Sequence, residues 1–148
     1  MPLRIVLATN NKHKVVEIKA ILKKAKVKAR VLTLADFPPM KPVVENKPTI
    51  EGNAAKKARE VARHTQCLAL ADDTGLFIKA LKGAPGVYSA RFAGAACSYE
   101  DNNRKVLEKL AGKPASKRGA TFRCIAALAT PQGKVSMVEG RKIGRAHV

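Results

Sequence analysis

Leu3, Ile5, Val6 and Leu7 form a short apolar run that predicts a strand, and Thr9-Asn10-Asn11 ends it with residues that favour turns and helix caps. Over residues 12–24 the pattern changes to helical spacing, with Val15, Ile18, Ile21 and Leu22 apolar and Lys14, Glu17, Lys19 and Lys23 between them. Val27, Val31, Leu32 and Leu34 predict a second strand over 27–34. Pro38, Pro39, Pro42 and Pro48 then exclude regular helix from 37–49, leaving a long connection of the kind that often carries function. Ala54, Ala55, Ala58, Val61 and Ala62 predict a helix over 53–65 whose small-residue stripe can lie close against a sheet. Leu68 to Ala71 is an uninterrupted apolar run, predicted as a strand buried on both faces that ends at Asp72 and Asp73, with Thr74 and Gly75 allowing a tight turn. Gly83, Pro85 and Gly86 punctuate a loop presenting Tyr88, Ser89 and Arg91 to a ligand or a second subunit. Ser98 with Asp101 marks a helix start, and Gly112 and Pro114 stop that helix. Phe122, Cys124, Ala126 and Leu128 alternate with Thr121, Arg123 and Ile125 over 120–130, and Pro131-Gln132-Gly133 turns the strand back into 134–139 as a hairpin. The fold class expected is α/β, a mixed, partly antiparallel twisted sheet flanked by helices, with a cleft at the ends of the first and third strands.

Composition narrows the class. At 148 residues the chain has the size of one domain, which hides roughly 70% of its extended surface. Hydrophobic residues make up 46% and charged residues 27%, as expected for a globular protein rather than a disordered one. Cys67, Cys97 and Cys124 are widely spaced and form no C-x-x-C, so they predict buried thiols in a reducing compartment. His13, His64 and His147 have no second ligand at metal spacing and read as surface or packing residues. No segment approaches a membrane span, and the expected location is the cytoplasm. The net charge of +18 raises nucleic acid as a partner, but two Tyr, four Phe and no Trp leave no aromatics interleaved with Lys or Arg. Nucleic acid is therefore not expected, and the positive field suits an enzyme that collects polyphosphate anions.

Two stretches carry candidate chemistry. Asp72 and Asp73 are costly at the end of a buried strand unless a metal ion, a metal-bound phosphate or a lysine meets them. The turn Thr9, Asn10, Asn11, Lys12, His13 and Lys14 leads a strand into a helix start, where backbone N–H groups and the helix dipole favour anions. It is no P-loop, since neither G-x-x-x-x-G-K-[ST] nor G-x-G-x-x-G occurs. From these residues alone an RNA-binding module stays open, and Asp73-Thr74-Gly75 also fits the catalytic turn of an aspartic protease. That protease needs two such turns on a mainly β scaffold, whereas this chain shows three helical segments.

The stretch L-A-D-D-T-G-L at Leu70 to Leu76, followed by A-L-K-G-A-P-G-V-Y-S-A-R at Ala80 to Arg91, resembles the Ham1-like family of inosine and xanthosine triphosphate pyrophosphatases. The family's opening T-x-N-x-x-K falls on Thr9, Asn11 and Lys14, its T-F-E-x-N-A-x-x-K-A on Thr49 to Ala58, its N-N-x-K-L-L loosely on Asn102 to Leu107, and its R-x-A-x-F-x-C on Arg118 to Cys124. The resemblance implies hydrolysis of a non-standard purine nucleoside triphosphate, such as ITP, dITP or XTP, to the monophosphate and pyrophosphate. It also implies that Asp73 is the catalytic base, that the turn from Thr9 to Lys14 and Thr74 bind substrate, and that Glu45 with Asp72 or Asp73 holds Mg2+. A homodimer formed partly through residues 85–92 is implied as well.

Two departures stand out. Lys79 replaces the family's frequent acidic residue, and the family's later F-G-Y-D-P loop and S-H-R motif, which read the base, do not occur in this sequence. Residues 1–141 are accordingly expected to be the N-terminal part of one pyrophosphatase domain, and 142–148 a non-native tail. Reverse-translated as AAG ATC GGA AGA GCA CAC GTC, that tail agrees from its second base with a common sequencing adapter, whose next three bases are a stop codon.

Overall fold

The computed structural model describes residues 2–146, so His147 lies outside the described residues. Its elements run β1 (Leu3–Leu7), α1 (Lys12–Lys24), β2 (Ala29–Thr33), α2 (Ile50–Thr65), β3 (Leu68–Ile78), β4 (Pro85–Gly86), α3 (Tyr99–Lys109), β5 (Gly119–Ala129) and β6 (Val135–Arg145). The strands form one sheet in the order β2-β1-β3-β5-β6, with the short β4 paired to β3. β1 lies parallel to β2, Ile5 opposite Val31, and parallel to β3, Val6 opposite Ala69. β4 is antiparallel to β3, Leu76 opposite Gly86, so the expected mixed sheet is present.

The chain divides into two compact units. One holds the residues up to Lys47, Glu51–Asp72 and Ala126–Val138; the other holds Pro48–Ile50, Asp73–Ile125 and the residues from Glu139 onward.

In the first unit β1 carries the expected apolar run, with Val6 and Leu7 fully buried. Asn11 caps α1: its Oδ1 accepts from the backbone N–H groups of His13 at 3.0 Å and Lys14 at 3.3 Å. Lys23 and Lys24 occupy the last turn, where cations favour the helix dipole. Lys26 then takes a left-handed conformation at φ 55°, so β2 starts at Ala29 rather than at the expected Val27, and Leu34–Asp36 forms a 3-10 turn. α2 begins at Ile50, ahead of the expected residue 53, and Ala54, Ala58 and Ala62 are fully buried along it.

β3 corrects the sequence reading in two ways. Its first residues are buried on one face only, Ala69 and Ala71, while Leu68 and Leu70 are half-buried. The strand also does not end at Asp72 and Asp73 but continues unbroken to Ile78. Gly75 is therefore a strand glycine, not a turn glycine, and the reason is a close approach. A Cβ there would stand 2.7 Å from the Gly86 carbonyl oxygen and 2.8 Å from Phe77 Cε2.

In the second unit Ile78, Val106 and Leu110 form a buried cluster with Leu76, Leu81 and Phe92 around it. The predicted capping box opens α3: Ser98 Oγ accepts from Asp101 N at 3.1 Å, and Asp101 Oδ2 accepts from Ser98 N at 2.9 Å. Ser89 ties the glycine-rich loop to β3, accepting from Leu76 N at 2.8 Å and donating to Gly86 O at 2.6 Å. Both functions of that hydroxyl are used within the chain, so of the three groups proposed for the loop surface it is Tyr88 and Arg91 that remain. The Arg91 guanidinium lies 5.1 Å from the Tyr88 ring centroid, and Tyr88 is 55% exposed.

The predicted hairpin is present, its turn closed by Thr130 N donating to Lys134 O at 2.9 Å. β6 extends well past the expected residue 139, through Arg145, and Ala146 N donates to Arg118 O at 2.9 Å. Along β6 Glu139 accepts from Arg123 and Arg141, and Arg123 holds its carboxyl below the ordinary 4.5. Of the three free cysteines Cys67 is buried as expected, but Cys97 and Cys124 are only half-buried.

Candidate functional site

The turn after β1 is built by short polar side chains bonding their own backbone. Thr9 Oγ1 accepts from Asn11 N at 3.1 Å, and Asn11 in turn caps α1. This cap changes the expected phosphate chemistry, because the amides of His13 and Lys14 already donate to Asn11. What the turn directs elsewhere are side chains. Lys14 Nζ lies 2.7 Å from Asp72 Oδ2, an ion pair between α1 and β3 whose Asp72 side chain is only 18% exposed. A lysine thus meets the first of the two strand carboxylates, one of the three solutions that burial demanded. Lys12 and His13 are exposed on the first turn of the helix.

The proline-rich segment brings Glu45 to the same unit. Glu45 Oε1 is 2.6 Å from Lys57 Nζ on α2, and both side chains are partly shielded. The segment is held along its length by α2: Lys47 N donates to the buried Asn53 Oδ1 at 2.9 Å, and His64 Nε2 is 2.8 Å from Pro38 O. Lys56 Nζ donates to Val44 O at 2.6 Å and to Asn46 Oδ1 at 3.0 Å. Together these elements wall a cavity of about 440 Å³ in which Thr9 and Asn10 face Met40, Val43, Glu45 and Lys57. Its wall combines apolar surface with two cationic side chains, Lys41 and Lys57.

Asp73 and Thr74 belong to the second unit. Asp73 Oδ1 accepts from Thr74 N at 3.1 Å, and Thr74 is exposed. Because side chains alternate along a strand, Asp73 leaves β3 on the face of Ala69 and Ala71, and Asp72 on the opposite one. The adjacent carboxylates are thereby given different surroundings, which the reading of a strand end followed by a turn did not anticipate. Lys56 and His64 were also not singled out as functional, since a bond to a backbone carbonyl leaves no spacing signature. Asn53 and Lys57 were found through the family motif.

Among the described residues no three His, Cys, Asp or Glu side chains converge. A small hard cation that keeps several waters and binds through one or two carboxylates plus substrate phosphates needs no such cluster. Glu45 and Asp72 are the right donor type for it, and each sits beside a lysine able to turn to a phosphate oxygen.

The sequence profile of the Ham1 family matches residues 5–147. The dITP/XTP pyrophosphatase of Elusimicrobium minutum is 47% identical over 140 residues, covering 93% of this chain and 71% of that protein. The crystal structure of a nucleoside-triphosphatase / dITP/XTP pyrophosphatase from Mycobacterium abscessus superposes with a TM-score of 0.82 at 37% identity, over 97% of this chain and 74% of the other. A HAM1 protein from Coxiella burnetii gives a TM-score of 0.85 at 35% identity, over 97% and 72% of the two chains.

Proposed function

The chain belongs to the Ham1 family, and on that footing we propose that it hydrolyses the triphosphates of non-standard purines, dITP and XTP among them, to the monophosphate and pyrophosphate. The observation that carries the reading is the pair of lysine–carboxylate contacts, Lys14 with Asp72 and Lys57 with Glu45. A triphosphate can exchange with both carboxylates for the lysines, which supply mobile point charges to its oxygens. Thr9 and Asn10 add neutral polar groups to the cavity wall.

Mg2+ is the proposed cofactor, held by Glu45 and Asp72; when bound it supplies charge neutralisation on the phosphate oxygens. Asp73 is the proposed general base. It takes the proton of a water as that water's oxygen bonds to the α-phosphorus, and the bond from that phosphorus to the bridging oxygen breaks with pyrophosphate leaving. Thr74, next along β3, is the proposed substrate contact beside it, and its amide donates to Asp73 Oδ1. Asp73→Asn keeps the shape and the hydrogen bond to Thr74 but cannot accept the proton. Steady-state pyrophosphate release from dITP should fall by at least about two orders of magnitude with an unchanged circular dichroism spectrum. Retention of most of the wild-type kcat would remove Asp73 from the reaction.

A homodimer through residues 85–92 is proposed with it. Its support is the exposed Tyr88 stacked with Arg91, residue types enriched at interfaces. Sedimentation should give twice the monomer mass at micromolar concentration, and Tyr88→Ala should shift the boundary toward monomer.

A further inference from the structure

We propose that Lys56 is a positioning residue for Glu45, an inference that rests on the reading of Glu45 as a carboxylate for the magnesium–nucleotide complex. Lys56 falls in a variable place of the family motif, one residue before the matched Lys57, and nothing in the sequence distinguishes it from the other surface lysines. Its side chain is nonetheless only 21% exposed. Its ammonium reaches across from α2 to both neighbours of Glu45: the Val44 carbonyl oxygen at 2.6 Å and the Asn46 Oδ1 at 3.0 Å. The third contact is Glu60 Oε1 at 3.9 Å, one turn further along the helix.

The geometry is that of a clasp. Residues 37–49 contain no helix or strand of their own, so Glu45 owes its position to side chains of α2. Lys57 holds the Glu45 carboxylate itself, but that contact must break or loosen whenever the carboxylate turns to a cation. Lys56 instead contacts Val44, Asn46 and Glu60, groups that take no part in such an exchange. It anchors the Val44 carbonyl on one side of Glu45 and the Asn46 side chain on the other while the carboxylate changes partner, so the ordering cost is met before the substrate arrives. Such supporting contacts typically change metal affinity by 10- to 100-fold when removed.

The test compares Lys56→Met with Lys56→Arg and Asn46→Ala in the full chain. Lys56→Met keeps the aliphatic stem and removes the ammonium. It should raise the Mg2+ concentration for half-maximal dITP hydrolysis by about tenfold while leaving kcat at saturating Mg2+ within about twofold. Amide hydrogen exchange at residues 43–47 should quicken in the same variant without nucleotide or metal, a change that mere loss of surface charge would not produce. Lys56→Arg, able to reach both acceptors, should restore slow exchange and most of the Mg2+ response, and Asn46→Ala should show a smaller shift in the same direction. If Lys56→Met is less stable overall, Asn46→Ala decides, because it leaves α2 untouched. Unchanged exchange at 43–47 together with an unchanged Mg2+ response overturns the proposal. If the wild-type chain hydrolyses no dITP, the proposed function fails, while the exchange measurements still decide whether Lys56 orders the segment.

Discussion

At the scale of single residues, Gly75 shows how much one missing Cβ can fix. The backbone of Gly86 crosses within 2.7 Å of where that atom would stand, and Phe77 closes the other side at 2.8 Å. Gly75→Ala should therefore destabilise the chain by about 1–3 kcal/mol in urea unfolding, because backbone rather than a flexible side chain would have to move. From sequence the glycine after Asp72, Asp73 and Thr74 looked like a turn, since composition marks a glycine without saying which of its uses applies. The carboxylates themselves were legible, both as a burial problem and through the motif. A lysine was one expected answer to the strand carboxylates, but that Lys14 supplies it was not legible, because the pairing with Asp72 joins residues 58 positions apart in the sequence. His13 and Lys14 amides, expected as phosphate donors, are already engaged by Asn11, a competition visible only once the cap geometry is known.

At the scale of elements, periodicity located α1, α2, α3 and the hairpin, while ends moved wherever one residue adopted an unexpected conformation, as Lys26 did before β2. The prolines made the 37–49 segment legible as an irregular connection, and the family motif marks Asn53 and Lys57; the hold of Lys56 and His64 on the segment was not legible, because they bond backbone or amide groups without any pattern. α3 offers a measurable consequence of its cap. The Ser98 backbone N–H, with the Ser98 side chain adding to it, holds the Asp101 carboxyl below its ordinary value of 3.8. A depressed native value means that the cap contributes fully above pH 3.8 and fades as pH falls through the lowered value. Asp101→Asn should thus lower the thermal midpoint near neutral pH, and the gap to wild type should close in acid below 3.8. A gap that is constant with pH would assign the stability of this helix start to something other than the charged cap.

At the scale of the whole molecule, the fold class was readable because separate motifs occur in the right order along the chain, and the matched family profile over 5–147 has the same basis. The excess of 29 basic over 11 acidic residues says less about chemistry than about behaviour in solution. β6 gives that excess a specific use. Among the described residues it is the last strand of the sheet order, exposed over nearly its whole length, and it carries Met137, Val138 and Ile143 on the surface at 49%, 71% and 81% exposure. An open strand of this kind is a template for pairing with another chain, and Arg141, Lys142 and Arg145 are the charges set along it that make such pairing repulsive. Repulsion of that sort reaches about 10 Å at 0.1 M salt and about 3 Å at 1 M. Colloidal stability should then run opposite to the usual laboratory reflex: light scattering should rise as sodium chloride is added, and Val138→Lys should suppress the rise. The chain would be kept clear in dilute buffer and clouded by brine.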